Sequence, residues 1–265
     1  MSITQRILIH SDMNVDSNNM EFGSELTAVV PYAYWHYKNG LLDMTRSARG
    51  SDPFYYFSPL HVINPLPRHA GNIWPTKIPN KEVREFTGEG KWMAPPYRSK
   101  YMNKEHVYDK PILVIANKYN MEWGRDPVNY LDLKKITFIL NKLGDKYTVF
   151  YNRRMPDYLK DDQLHKDLGE HNFIRQVYPD VRFIDEMEGD YNLNQLRVYA
   201  NCDHFISVQG GNSILASYFG GTNIVYAVKG NELSGGFYHK IGALSGCEVV
   251  HVREDFYHSI HRYES

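Results

Sequence analysis

Short apolar runs alternate with amphipathic stretches through the second half of the chain. The runs are rich in β-branched residues and are bounded by polar ones, as in buried parallel strands. They cover residues 112–116, 147–151, 181–184, 205–208, 224–228 and 248–252. Helical spacing of apolar residues, or a helix-like composition, marks 130–143, 161–170, 192–201, 213–219 and 235–244, and a turn is expected at 173–177. This alternation predicts an α/β fold with a parallel, doubly wound sheet.

The first 45 residues predict the start of a second Rossmann-like unit. Residues 6–10 form an apolar run that predicts a strand, and the polar stretch 11–19 predicts a loop. From Phe22 onward, apolar residues recur at helical spacing until Asn39-Gly40, which is a typical helix end. Pro31 lies inside this helix and predicts either a kink or a late start. Residues 41–45 predict the next strand.

Residues 51–98 are rich in proline and aromatic side chains and show no sustained period. We expect irregular structure with short strands here, folded over a core, because a disordered segment would carry fewer aromatics. The polar stretch 101–110 predicts a linker. The chain is therefore expected to form two Rossmann-like domains, 1–110 and 111–265, of which the N-terminal one is reduced and irregular.

Composition narrows the classes of protein. The chain has 265 residues, 42% hydrophobic, which is enough for one large or two small cores. Its net charge of −1 gives no electrostatic case for nucleic acid.

No apolar run is long enough to span a bilayer, and no leader is evident, so neither a membrane span nor secretion is expected. Two cysteines favour a reducing, cytoplasmic setting. The 21 tyrosines are compatible with carbohydrate binding, although tyrosines also serve cores.

A glycine turn follows the apolar run 205–208. Gly210 and Gly211 permit a tight turn, and Asn212 or Ser213 is a good cap for the helix that follows. The start of a helix presents free N–H groups and the positive end of a dipole, which suits a phosphate group. The alternative is a tight strand–helix corner that binds nothing.

Two other loops follow predicted strands in the same half. Asn117 and Lys118 follow 112–116, and Asn152, Arg153 and Arg154 follow 147–151. Parallel strands end at one edge of a sheet, so these loops and the glycine turn are expected to converge. Their cationic side chains could bind phosphate, although an arginine pair can also be a solvated turn.

The run Asp203-His204-Phe205-Ile206-Ser207-Val208-Gln209-Gly210-Gly211-Asn212-Ser213, followed by Phe219-Gly220-Gly221, carries a resemblance to a known family. It resembles glycosyltransferases of the GT-B fold, in particular small ones from polysaccharide gene sets of bacteria and large DNA viruses. The likeness covers most of 111–240 and only loosely the first strand and helix. It implies that the C-terminal domain binds a nucleotide sugar and the N-terminal domain binds the acceptor. It also implies that Glu232 holds ribose or donor-sugar hydroxyls.

An inverting sugar transfer needs a group that takes the proton of the acceptor hydroxyl. Gly23-Ser24-Glu25-Leu26 is similar to the Gly-x-Gly-Asp pattern of heptosyltransferase-like members, which place an acid at the start of the first helix. Glu25 is therefore the first candidate for a general base, and Asp12 is the second. Acids at helix starts are also ordinary partners of the helix dipole.

Known metal and cofactor motifs are missing from the sequence. Asp-x-Asp, His-Glu-x-x-His and paired Cys-x-x-Cys do not occur, and neither does the nucleophile elbow Gly-x-Ser-x-Gly. No dinucleotide fingerprint follows the runs at 7–9 and 112–116. We therefore expect no metal and no cofactor other than the co-substrate.

The sequence and the resemblance together predict a metal-independent, inverting glycosyltransferase. It would move a sugar, for example rhamnose or fucose, from a UDP- or GDP-linked donor to a glycan acceptor. The deoxysugar is suggested by the resemblance and not by particular residues. The alternatives are a non-catalytic carbohydrate- or nucleotide-binding module, and a transferase for another group, such as pyruvyl, on the same fold.

Overall fold

The computed structural model describes residues 13–18, 20–65, 90–121, 126–154, 166–230 and 237–264. These residues form an α/β protein with two parallel sheets. The strands are β1 Met13–Asp16, β2 Leu42–Ala48, β3 His61–Asn64, β4 Ile112–Ala116, β5 Thr148–Asn152, β6 Arg182–Phe183, β7 His204–Val208, β8 Gly221–Tyr226 and β9 Cys247–Val252. The first sheet has the order β1-β2-β3, and the second has the order β6-β5-β4-β7-β8-β9.

Helices connect the strands. A first helical stretch, α1, runs through Phe22–Ser24, a π-helical segment Glu25–Val29, and Val30–Lys38. The others are α2 Tyr97–Tyr101, α3 Leu133–Leu143, α4 Glu170–Val177, α5 Tyr191–Ala200, α6 Gly211–Ser217, α7 Phe237–Ser245 and α8 Phe256–Ile260. Short 3-10 turns cover Asp52–Tyr55, Ile184–Glu186 and His261–Tyr263.

The second sheet has apolar residues on both faces because helices cover both. All five residues of β4 are buried, and α3 buries Ile136, Ile139, Leu140 and Leu143. Asp132 begins α3 by accepting a hydrogen bond from the backbone N–H of Lys135 at 2.8 Å. The prediction of an α/β fold with parallel strands is therefore confirmed, and the architecture is compatible with the Rossmann-like class. In the part of the chain that the structure describes, no helix is both long and apolar enough to cross a membrane.

The helix around Pro31 differs from both predicted forms. It starts well before the proline, at Phe22, and continues through it. The turn before the proline is widened, since the N–H of Val30 donates to the carbonyl of Glu25 five residues earlier. Proline lacks an N–H, and Pro31 lies in the first turn of Val30–Lys38, where such a donor is least needed. Gly40 takes a left-handed conformation after Asn39, so the predicted helix end is confirmed.

Three elements differ from the predictions. Residues 11–19 were expected to be a loop, but β1 lies within them. The strand forms there because it pairs with β2 and buries Val15, which is 2% exposed. The turn expected at 173–177 is part of α4, which buries Ile174. The polar helix expected at 161–170 is not formed at 166–169, and 155–165 lie outside the described residues, as does the strand expected at 6–10.

One apolar core extends across both sheets. It contains side chains from α1 and from β4, β7 and β9. The ring of Trp92 stacks on Tyr218 with a centroid distance of 6.3 Å, and the hydroxyl of Tyr218 donates to the carbonyl of Leu26. Arg98 on α2 donates to the carbonyl of Phe219 and pairs with Asp203 at 2.8 Å. The segment that joins the two sheets, which includes Trp92 and Arg98, therefore packs against both halves. The domain boundary at residue 110 stays a prediction.

We expect Gly221→Ala to destabilise the protein more than Gly40→Ala. Both glycines have a φ of +68°, so an alanine meets the same backbone strain of about 1–2 kcal/mol at either position. A Cβ at Gly221 would lie 2.3 Å from the carbonyl oxygen of Asp203, whereas nothing lies within 4 Å of one at Gly40. Urea unfolding should show an additional loss of about 1–3 kcal/mol for Gly221→Ala. Equal losses for the two variants would contradict this packing.

Candidate functional site

The carboxyl edge of the second sheet brings the three predicted loops together. Strands β5, β4 and β7 are neighbours, and each ends at this edge. Lys118, after β4, donates from Nζ to Oε1 of Gln209, after β7, at 2.8 Å. This hydrogen bond joins the loop of Lys118 directly to the glycine turn.

The glycine turn requires glycine for two different reasons. Gly210 has a φ of +129°, which side chains rarely permit, and a Cβ there would lie 3.3 Å from Lys118 Nζ. A Cβ at Gly211 would lie 2.6 Å from the Phe22 ring and 3.4 Å from the Gly23 nitrogen. Gly211 therefore permits direct contact between the start of α6 and the start of α1.

The polar side chains of the turn face different surroundings. Ser213 is buried, and its hydroxyl donates back to the carbonyl of Gly210 at 2.8 Å. The hydroxyl of Tyr238 accepts from the N–H of Gly210 at 3.1 Å. Asn212, in the first turn of α6, is half-buried. Lys118 and Asn212 are partly exposed at this turn, whereas Gln209 and Ser213 are buried.

Asn117 is buried and serves the loop that carries Lys118. Its Oδ1 accepts from the N–H of Lys118 at 2.9 Å and of Leu131 at 2.8 Å. Its Nδ2 donates to the carbonyl of Leu131 at 3.0 Å and to the hydroxyl of Tyr151 at 2.9 Å. These contacts use the donors and acceptors of the amide, so the structural role of Asn117 is to position the loop of Lys118.

The two arginines after β5 have different environments. Arg153 is 1% exposed, forms an ion pair with the buried Glu170 and donates to the carbonyl of Lys166. Arg154 is half-buried and lies over the ring of Tyr191, 5.2 Å from its centroid. Of the pair, Arg154 is the guanidinium nearer to solvent, and Arg153 holds the loop to α4.

His171 extends the buried charge cluster of Arg153. Its Nδ1 lies 3.0 Å from Oε1 of Glu170, and its Nε2 lies 3.4 Å from Oδ2 of Asp185. Burial alone would lower the pKa of His171, but hydrogen bonds to Asp185 and Glu170 outweigh it and raise that pKa. Burial likewise opposes ionisation of Glu170, yet the hydrogen bond from His171 and the charge of Arg153 hold its pKa below the usual range.

A row of polar side chains on α5 extends from the end of β5. Asn152 is fully buried and donates from Nδ2 to the hydroxyl of Tyr199 at 2.6 Å and to Oε1 of Gln195 at 2.8 Å. Gln195 donates to Oδ1 of Asn192 at 2.7 Å, and Asn192 donates to the carbonyl of Gly50 at 2.6 Å. Gly50 belongs to the loop after β2, so this row connects the two sheets. Polar residues at 192, 195 and 199 share one helix face, and that spacing could have revealed the row.

Glu25 lies at the carboxyl edge of the first sheet. It is 0% exposed and accepts hydrogen bonds from the hydroxyls of Ser17 at 2.6 Å, Ser51 at 2.9 Å and Tyr55 at 2.9 Å. Ser17 follows β1 and Ser51 follows β2, so the carboxylate ties the two loops to α1. Ser51 is next to Gly50, the residue reached by Asn192.

Two predicted site residues cannot be placed. Asp12 and Glu232 lie outside the described residues. Among the residues that are described, no group of three or more histidine, cysteine, aspartate or glutamate side chains is arranged to hold a metal ion.

The fold and this edge of the sheet define the class of protein as an α/β protein with parallel sheets, compatible with a Rossmann-like class. A scan against models of protein families found none that matches, and searches of curated proteins and of solved structures found no significant match.

We expect part of the stability of the protein to be lost as the pH rises through the folded-state pKa of His171. That pKa is raised on folding, so the stabilisation is complete below the ordinary histidine pKa of about 6.5, declines between that value and the folded-state pKa, and is absent above the folded-state pKa. Urea unfolding from pH 5.5 to 9 should show this decline in the wild type. His171→Gln should remove it.

The matched control is His239→Gln, because His239 is exposed on α7. Its pH dependence should equal that of the wild type. A His171→Gln protein with unchanged pH dependence would show that the cluster does not hold a charged histidine.

Proposed function

We propose that the protein is a glycosyltransferase that moves a sugar from a nucleoside-diphosphate donor to a glycan acceptor. The observation that carries the proposal is the contact of the glycine turn with α1, at Gly211 and Phe22. It sets the cationic edge of one parallel sheet against the carboxylate-bearing edge of the other. Ligands of open α/β sheets bind outside the carboxyl ends of the strands, and here two such edges face one another.

The donor side is assigned to Lys118, Arg154 and the start of α6. Lys118 lies over Gly210 and Arg154 lies at the end of the neighbouring strand, so both can approach a diphosphate at this edge. Charge-assisted hydrogen bonds from such groups stabilise the departing nucleoside diphosphate. We take the transfer to be metal-independent and inverting, with a UDP- or GDP-linked sugar such as rhamnose or fucose.

We further propose that the chain forms a GT-B-like pair of domains. Residues 1–110 would bind the acceptor, and residues 111–265 would bind the donor. We place the reaction in the cytoplasm, where nucleotide sugars are abundant. Cys202 and Cys247 are both buried as free thiols, in keeping with a reducing compartment.

The general base is assigned to Glu25 or Asp12. Glu25 accepts three hydroxyl hydrogen bonds, from Ser17, Ser51 and Tyr55, which hold its carboxylate at the carboxyl edge of the first sheet. Its complete burial supports a second candidate function, a binding module for a nucleotide or carbohydrate that performs no transfer.

Incubation with UDP- and GDP-sugars and a panel of glycans should release free nucleoside diphosphate in proportion to glycosylated product. A thermal-shift screen of nucleoside diphosphates should identify the base first, since a bound ligand raises the melting temperature. Binding of a nucleoside diphosphate without any release would favour the binding module. Absence of both would refute the transferase.

We expect Lys118→Met to weaken binding of the nucleoside diphosphate by about ten- to a hundredfold, the usual value of a hydrogen bond to a charged group. Titration calorimetry would measure it. Lys240→Met is the matched control, because Lys240 is exposed on α7, and it should bind like the wild type. Equal affinity of the two variants would remove Lys118 from the donor site.

Glu25→Gln and Asp12→Asn separate the two candidates for the base. The variant that lacks the general base should bind the nucleoside diphosphate like the wild type. It should release almost no nucleoside diphosphate from the donor sugar. Glu25→Gln should also cost about 1–3 kcal/mol of stability, because its amide N–H₂ would meet a hydroxyl donor. If both variants keep full turnover, neither residue is the base. Glu254→Gln, on the exposed surface, controls for loss of a carboxylate.

A further inference from the structure

A cleft of about 370 Å³ lies where the two sheets approach each other, apart from the glycine turn. The N-terminal half supplies residues from the loop after β2 and from the end of β3, and the C-terminal half supplies the residue that caps α5. The lining residues are Arg49, Gly50, Asp52, Ile63, Pro65 and Asp190.

The charged side chains of the cleft are not paired with one another. Within the described ranges, Arg49 and Asp52 form no side-chain hydrogen bond and no ion pair, although both line the same cleft. Asp190 accepts from the N–H of Leu193 at 2.8 Å with one carboxylate oxygen. The cleft therefore offers the guanidinium of Arg49, the carboxylate of Asp52 and the second carboxylate oxygen of Asp190 to a ligand.

The backbone that carries Arg49 and Asp52 is held by the row on α5. Asn192 donates to the carbonyl of Gly50, between Arg49 and Ser51, and Ser51 donates to the buried Glu25. The cap at Asp190 fixes the opposite wall. A site that is held in place by its own protein contacts loses less entropy when a ligand binds.

The chemistry of the lining selects a class of ligand. Each hydroxyl of a sugar both donates and accepts, which suits a lining with two carboxylates and one guanidinium. Ile63, which is 45% exposed, and Pro65 offer an apolar surface for the C–H face of a ring. Two carboxylates and one guanidinium give a net charge of −1, which disfavours an acidic ligand.

We propose that this cleft binds an uncharged sugar ring. Asp52 and Asp190 accept hydrogen bonds from its hydroxyls, and Arg49 donates to a hydroxyl or ring oxygen. The inference rests on the proposed function in one respect, namely that the bound ring belongs to the acceptor glycan, which would then be neutral at this position.

The test measures the binding of methyl glycosides to the complete chain in the absence of nucleotide. Two-dimensional NMR of the protein detects the binding. The probes are methyl glycosides of neutral hexoses and deoxyhexoses and, for comparison, of glucuronic acid. At least one neutral glycoside should bind more tightly than the glucuronide. Arg49→Gln, Asp52→Asn and Asp190→Asn should each weaken it by about tenfold. Asparagine also caps helices well, so Asp190→Asn should preserve α5.

Matched controls are Asp145→Asn and Arg253→Gln, both on the exposed surface, which should bind like the wild type. The cleft proposal is overturned if no neutral glycoside binds, if the glucuronide binds better, or if the cleft variants bind normally. It is also overturned if transfer occurs and these variants leave the KM for the acceptor unchanged. If glycosides bind through Arg49 and Asp52 but no donor is ever used, the cleft stands and the transferase falls.

Discussion

The direct contact between the carboxyl edges of two parallel sheets governs this structure. Gly211 lacks a side chain, so the first turn of α6 can reach Phe22 and Gly23 at the start of α1. The polar groups of the candidate site lie at these two edges, with Lys118 and Arg154 at one and Glu25 at the other. The cleft of Arg49 and Asp52 lies apart from the glycine turn. An apolar core shared by both halves keeps the edges in place.

Buried polar groups at both edges are densely paired. Glu25 receives three hydroxyl hydrogen bonds, and Arg153 and His171 share Glu170 in the interior. Desolvating an ion costs several kcal/mol, and removing one partner of a buried pair costs about 3–5 kcal/mol. Such groups hold strand-end loops in one arrangement, which a site for a polar ligand needs.

Much of the second half could be predicted from its pattern. The apolar runs gave β4 and β7, and the rule that parallel strands end together anticipated the meeting of Lys118 with the glycine turn. The pattern missed β1, whose polar residues form a strand only because β2 pairs with them, and it missed α4, where the burial of Ile174 overrides a weak local signal. It could not separate Arg153 from Arg154, since their burial depends on Glu170, seventeen residues away.

The amide row from Asn152 to Gly50 has a direction. Asn152 donates to Gln195, Gln195 to Asn192, and Asn192 to the Gly50 carbonyl, so every N–H₂ group points toward the first sheet. Aligned amide dipoles polarise one another and strengthen each successive bond. Because all members of the row are neutral amides, none of them changes its charge with pH, and the row responds little to salt. The link that this row makes between the two halves is therefore insensitive to the pH changes that alter the cluster of His171.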